Sequence, residues 1–398
     1  MQPIKRAYCR IFQKCFHIAI PFLPYRKPKI CKSVTELPQI FTKKKINSVL
    51  LVTDESIRKF GLCDSLVQAL SENNISLTIY DKTVANPTSD NVEEALLLYR
   101  ENDCNALIGM GGGSSIDCAK AVGARIAHPN KQLSDMEGIL KVTHRLPLLV
   151  AIPTTAGTGS ETTLAAVIVD SQTRRKYPIN SFPLIPRYAV LDPQVTVSLP
   201  PALTATTGMD ALTHAVEAYI GRSTTAGTRS DATKAIKLIF ANIRTAYNNG
   251  SDIKARKNML YAAYLAGCAF TKSYVGYVHA VAHSLGGKYN VPHGLANAVL
   301  LPHVLEAYGD CAKEKLTKLA QVVGLQTAEE FINAIKQMKQ DLCIPDEIPE
   351  IQEEDIPALA AYADKEGNPL YPVPKLMNAK ELQQFYYCVM PGGNHESN

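Results

Sequence analysis

Four of the nine histidines in this 398-residue chain fall between positions 214 and 293: His214, His279, His283 and His293. Asp210 and His214 (D-A-L-T-H) are four apart, as are His279 and His283 (H-A-V-A-H), and on a helix each pair shares one face. His293 lies in Val291-Pro292-His293-Gly294, which reads as a turn. One carboxylate with several imidazoles is the donor set of a divalent first-row metal such as Fe(II) or Zn(II). Spacing leaves the ligand set open: the two i, i+4 pairs make Asp210, His214, His279 and His283 the simplest four, with His293 left over. His17, His128, His144, His303 and His395 have no partner at ligand spacing and read as structural.

A second group of residues suits a nucleotide. Gly109-Met110-Gly111-Gly112-Gly113-Ser114-Ser115 follows an apolar run, and Ile116-Asp117-Cys118-Ala119-Lys120 opens a helix. Glycines there let backbone N–H groups approach a phosphate, and the helix N-terminus favours its charge. The pattern is neither a Walker loop nor G-x-G-x-x-G. Pro153-Thr154-Thr155-Ala156-Gly157-Thr158-Gly159-Ser160-Glu161 offers hydroxyls and glycines after another apolar run. Asp54 ends a third, where an acid can accept hydrogen bonds from a ribose and favour NAD over NADP; an Asp after a strand is also a common helix N-cap.

The elements that must position these groups come in two styles. Ser48–Thr53, Ser76–Tyr80, Ala106–Gly109, Leu148–Ile152 and Ala166–Val169 read as one series of strands, with helical stretches at Ser65–Glu72 and Asn91–Asn102. This alternation predicts a parallel sheet covered on both faces, with ligands beyond the carboxyl ends of its strands. After Leu199-Pro200-Pro201, the stretches Ala202–Tyr219, Arg229–Asn249, Ile253–Ser273 and Glu314–Gly324 are helical in period. The fold class is therefore an α/β Rossmann-like dinucleotide-binding domain followed by an all-helical metal-binding domain. We divide the chain into a leader (1–45), an α/β domain (46–199) and a helical domain (200–398).

Composition excludes other classes. The chain is 46% hydrophobic and 20% charged, ordinary for a globular protein, and holds no apolar run of membrane-spanning length. Ten cysteines without a C-x-x-C pair suit a reduced, cytoplasmic protein rather than a disulfide or zinc framework. The net charge of +5 is uneven: residues 1–45 hold eleven Lys and Arg against Glu36 alone, so the rest carries −5. The leader's basic residues match no nucleic-acid-reading motif. Lys14 interrupts its apolar section and no A-x-A site follows, against a secretory signal. An amphipathic helix on a membrane surface is the second reading. We favour a third, a helix packed on the body with a basic outer face.

The motifs G-G-G-S-S-I-D, P-T-T-A-G-T-G-S-E, G-M-D-A-L-T-H-A-V-E and H-A-V-A-H-S-L-G-G-K-Y-N-V-P-H-G-L-A-N-A occur in that order, with a late N-P-L-Y-P-V-P. In these the chain resembles the iron-containing, or group III, alcohol dehydrogenase family from about Leu50 onward. The resemblance implies Asp210, His214, His279 and His293 as metal ligands and moves His283 beside the nicotinamide and substrate. It places Asp54, Asn86, Gly112, Gly113, Ser114, Thr154, Thr155, Thr158 and Lys176 on the dinucleotide, and we count Ser115 and Asp117 with them. It also implies a homodimer. The chain departs from the family before Leu50, where it has no glycine at all.

The expected reaction is NAD-linked, metal-dependent interconversion of a primary alcohol or small diol and its aldehyde. The metal, Fe(II) by resemblance although the ligands also accept Zn(II), acts as a Lewis acid on the substrate oxygen. His283 is the candidate proton relay, since an imidazole titrates near neutrality; a purely positional role against the nicotinamide is the alternative. Two rival classes are a lyase of the dehydroquinate synthase type with recycled NAD and a non-catalytic metal-binding assembly protein.

Overall fold

A computed structural model describes residues 1–393. It divides into two compact units, Pro24–Leu199 and a second unit of Met1–Leu23 with Pro200 onward. His395 lies outside the described residues.

The first unit carries nine strands, β1 (Lys29–Cys31), β2 (Ser48–Val52), β3 (Ser76–Tyr80), β4 (Ala106–Gly111), β5 (Gly138–Ile139), β6 (Leu148–Pro153), β7 (Ala165–Val169), β8 (Lys176–Asn180) and β9 (Tyr188–Val190). Six of them form a wholly parallel sheet in the order β1-β9-β6-β4-β2-β3. Every residue of β2 and β4 is buried, as continuous apolar strands in a doubly covered sheet must be. Alternate side chains feed two separate cores. Leu50, Val52, Leu107 and Leu149 pack on one side, while Val49, Leu51, Ile108, Val150 and Ile152 pack on the other.

Helices fill both cores. Ahead of the sheet the chain forms α1 (Pro3–Ala19), which belongs to the other unit, and within the sheet unit α2 (Leu37–Lys43), α3 (Glu55–Lys59), α4 (Asp64–Ser71), α5 (Ser89–Glu101) and α6 (Gly113–Ala127). Phe41 of α2 and Leu66 of α4 cover one face; Val92 of α5 and Val122 of α6 cover the other. The chain leaves β2 toward β3 on one side and returns to β4 on the other. The strand order therefore reverses between β2 and β4, the crevice where open α/β sheets take their ligands.

One expected strand falls elsewhere. Ala166–Val169 does not continue the parallel series: β7 pairs antiparallel with β8 in a separate three-stranded sheet, β5-β8-β7. The polar hairpin tip Asp170–Arg175 reverses the chain there, with Asp170 Oδ1 accepting from Gln172 N and Thr173 N.

The second unit is helical: α7 (Pro201–Ile220), α8 (Ala226–Asn248), α9 (Ile253–Ser273), α10 (Tyr277–Tyr289), α11 (His293–Tyr308), α12 (Asp310–Val322), α13 (Ala328–Asp341), α14 (Ile356–Gly367) and α15 (Ala379–Val389). Helix α7 is buried from Gly208 to Ile220, polar residues included, because α8, α9 and α11 all pack against it. The basic N-terminal segment is split between the units: α1 packs on the helical one, and β1 and α2 join the sheet. The outer face of α1 is apolar rather than basic, since Ile4, Tyr8, Ile11 and Ile18 are exposed while Gln13 is buried.

Candidate metal and dinucleotide sites

In the helical unit, Asp210 and His214 stand one turn apart on α7, His279 is on the first turn of α10, and His293 is the first residue of α11. One donor atom from each lies within 4.8 Å of every other. Asp210 Oδ1 is 3.9 Å from His214 Nδ1, 3.9 Å from His279 Nε2 and 3.5 Å from His293 Nε2. His283 stays outside this cluster, one turn past His279, with its ring parallel to His293 at 5.1 Å.

The buried amide of Asn297, one turn beyond His293, shows where these donors converge. Its Nδ2 lies 2.7 Å from Asp210 Oδ1, 3.0 Å from His293 Nε2 and 3.2 Å from His279 Nε2. An amide has two hydrogens for those three acceptors, so lone pairs exceed donors at this point. A cation meets that surplus, and one carboxylate with three imidazoles suits a first-row divalent ion. Burial, then the neighbouring His214, His293 and His283, hold the His279 imidazole well below its usual range, keeping it in the neutral form that ligates.

Glu217 supports the cluster from behind. It follows Asp210 at i+7 on α7, on the same face, and its Oε2 accepts from His279 Nδ1 at 2.5 Å. Backbone N–H groups of Gly276 and Val278 donate to the two carboxylate oxygens at 2.8 and 2.9 Å. This fixes the His279 tautomer with Nε2 toward Asp210. Burial pushes the Glu217 carboxyl up to about 8, against the backbone bonds that pull it down. A bound cation would draw it back.

A second carboxylate holds His283. Its Nδ1 bonds Glu366 Oε1 at 2.6 Å, and Tyr371 OH donates to the same oxygen at 2.6 Å. Burial pushes the Glu366 carboxyl up, but the His283 charge and the bonds from His283 and Tyr371 outweigh it and hold it below the usual range. Phe270 stacks on His214 at 4.1 Å, and the next turn of α9 ends at Tyr274.

The sheet unit gathers the nucleotide candidates at the β2/β4 reversal. Asp54 caps α3 by accepting from Ile57 N, and its other oxygen accepts from Ser115 Oγ at 3.2 Å. Gly111 has φ +144, and a Cβ there would come within 2.6 Å of Ser115 Oγ. Gly112 is the N-cap of α6 with no side-chain cap, and a Cβ on Gly113 would lie 3.4 Å from Thr158. The glycines thus leave the start of α6 uncovered by side chains of their own, in a turn bordered by Ser115, Thr155 and Thr158, an arrangement that suits a phosphate. Thr154 N donates to Gly111 O, and the nearest neighbour of a Cβ on Gly112 would be Thr155. Asn86 N donates to Ser114 Oγ at 3.3 Å, and Lys176 Nζ to Asn86 Oδ1 at 2.7 Å.

Asp117 is engaged within the protein. Its carboxylate accepts from Ser160 Oγ at 2.6 Å, Val167 N at 3.0 Å and Lys120 Nζ at 3.4 Å, tying α6 to the second turn and to β7. Lys120 is fully buried and also donates to Ser160 Oγ, Thr163 Oγ1 and Ala165 O. Burial pushes the neighbouring Glu161 carboxyl up to about 7.

Sequence comparison agrees with both halves. The family model described as "Iron-containing alcohol dehydrogenase" matches residues 31–193, and "Fe-containing alcohol dehydrogenase family, C-terminal" matches 204–390. The chain belongs to the iron-containing alcohol dehydrogenase family. The 1,3-propanediol dehydrogenase of Klebsiella pneumoniae is 39% identical over 385 residues, covering 94% of this chain and 98% of that protein. The NAD-dependent methanol dehydrogenase of Bacillus methanolicus is 39% identical, covering 83% and 88%. The crystal structure of a 1,3-propanediol oxidoreductase superposes with a TM-score of 0.87 at 38% identity, covering 91% of this chain and 97% of that one. As a member of this family, the protein is an alcohol dehydrogenase that uses a metal and a nicotinamide-type dinucleotide.

Sequence reasoning missed Glu217, Asn297, Glu366, Tyr371 and Lys120. The first two had a signal, the i+7 and i+4 spacing from Asp210 and His293. Glu366 reaches His283 from 83 positions away and no local pattern marks it; Tyr371, which bonds Glu366, falls in the late N-P-L-Y-P-V-P motif, but nothing there points to His283.

Proposed function

We propose that the protein reversibly oxidises a short primary alcohol or small diol with NAD, and that Asp210, His214, His279 and His293 hold Fe(II). The observation that carries this reading is the clustering of those four donors within 4.8 Å of one another, three of them (Asp210, His279 and His293) bonded to the Asn297 amide. When bound, the metal supplies Lewis-acid polarisation of the substrate oxygen, and the dinucleotide exchanges the hydride. Iron rather than zinc follows the family's description, since the donor set accepts both.

The chain's own residues do the rest. Glu217 keeps His279 in one tautomer, and Asn297 spaces Asp210 from the histidines. Phe270 stacks an apolar ring on His214, a wall that suits a short carbon chain. His283, held by Glu366 and Tyr371, passes the alcohol proton toward solvent, and its 40% side-chain exposure supports that route. On the sheet unit, Asp54 holds the adenosine ribose and disfavours a 2′-phosphate. Gly112, Gly113, Ser114 and Ser115 take the pyrophosphate on α6, with Asn86, Thr154, Thr155, Thr158 and Lys176 around it. Asp117 acts by positioning the second turn. The ten cysteines, none of them in a disulfide among the described residues, support a cytoplasmic setting, and a homodimer rests on the family resemblance alone.

Net NADH formation on a panel of alcohols and diols, with anaerobic Fe(II)-loaded protein, tests the reading. Turnover with 1,3-propanediol or a similar short alcohol is expected. A protein that binds metal and NAD yet forms no net NADH with any alcohol would point to the lyase class.

A further inference from the structure

Helix α1 turns its polar side inward and its apolar side outward. Gln13 is 3% exposed, and its Nε2 donates to Pro369 O at 3.2 Å and Tyr371 O at 2.7 Å. Arg10 places its guanidinium fork on Val373 O at 2.7 Å and Pro374 O at 2.8 Å, and Lys5 pairs with Asp364 at 2.8 Å. These bonds fix the rotation of the helix. Turning it half-way round would leave a buried amide and four peptide carbonyls to find new partners.

The opposite side carries Ile4, Tyr8, Ile11, Phe12, Ile18 and, just past the helix, Phe22, between 37% and 87% exposed. Positions 4, 8, 11 and 18 recur at helical spacing, so they form one stripe. A helix at a protein surface ordinarily buries such a stripe; here it faces away, and an exposed apolar patch of this kind marks an interaction site. Exposed Lys5 and Lys14 flank it, one on either side, and no acid occurs before Glu36. α1 also lies ahead of residue 31, the first residue matched by the family models.

Charge selects the occupant. A two-fold pairing of α1 with its own copy would bring the same cations to both sides of one seam. A bilayer bearing anionic lipids receives both features at once, the apolar side chains at the acyl boundary and the cations among the headgroups. No helix among the described residues is long and apolar enough to cross a membrane, so α1 would lie along the surface. We propose that the apolar stripe of α1 docks this enzyme on anionic membrane surfaces.

Flotation of the full-length protein with phosphatidylcholine vesicles, with and without phosphatidylserine, tests this. Binding is expected on the phosphatidylserine vesicles, weaker in high salt and lost in the double variant Ile11→Glu/Ile18→Glu. Lys14→Glu should weaken it too, and all variants should keep their dehydrogenase activity, which confirms that they fold. The proposal is overturned by no flotation with phosphatidylserine, or by equal flotation on both vesicles that the glutamates leave unchanged. It is also overturned if the glutamates split an oligomer while the parent protein binds no vesicles, the result a second copy on the stripe would give.

Discussion

Glu217 and His279, on successive faces of α7 and α10, share a 2.5 Å hydrogen bond that commits Nδ1 of the imidazole and turns Nε2 toward Asp210. The carboxylate is itself held by the N–H groups of Gly276 and Val278 at the start of α10, so the same residue sets both the helix entry and the ring orientation. A group that fixes a ligand's tautomer typically contributes 10–100-fold in metal affinity.

Glu217→Gln should therefore lower metal affinity by about 10- to 100-fold while Asp210, His214 and His293 stay in place. Competition with a chelator, followed by metal analysis, reads this directly. Unchanged affinity would make Glu217 a structural residue of the α10 N-terminus only.

Glu366→Gln removes the charge that holds His283 but not its hydrogen-bonding capacity. The expected result is full metal content, a kcat lower by about 10- to 100-fold and a KM nearly unchanged, since general acid–base groups act mostly on rate. Steady-state kinetics on the Fe(II)-loaded protein separates the two constants. A change confined to KM would assign Glu366 to substrate binding instead.

Asp54→Gly should erode the preference for NAD over NADP. Glycine is tolerated at an N-cap at a cost of a few tenths of a kcal/mol, so thermal stability should barely move and the effect on cofactor choice can be read alone. The ratio of kcat/KM for the two dinucleotides is the measurement, and an unchanged ratio would leave Asp54 with only its bond to Ile57 N and Ser115.

Much of this was legible beforehand because it is written locally. The i, i+4 pairs on α7 and α10 come from sequence spacing, and the glycine turns declare themselves where β4 and β6 end. The choice between His283 and His293 was not local. It depends on where α11 begins relative to α10, which brings His293 rather than His283 beside Asp210, with Asn297 bonding Asp210, His279 and His293 together. β7 read as one more parallel strand because a short β-branched run looks the same in either sheet. The outward stripe of α1 could not be foreseen, because the periodicity of a helix tells which residues share a face and not which face meets the protein.

Glu161 supplies a pH test of the sheet unit. Its folded pKa, raised to about 7 by burial, lies above the unfolded value near 4.5. The protein is thus unpenalised below about pH 4.5 and loses stability as pH rises from there through 7, by at most about 3 kcal/mol. Glu161→Gln should match the parent at pH 5 and exceed its melting temperature at pH 8. Equal melting temperatures at pH 8 would mean that the charge on buried Lys120 offsets the cost.

The ligand assignment is tested most directly by metal analysis of anaerobically purified His293→Ala and His283→Ala, each paired with NADH formation on a short diol. His293→Ala should lose metal and turnover together, and His283→Ala should keep its metal while losing rate. Retention of metal by His293→Ala with its loss from His283→Ala would contradict the four-residue site.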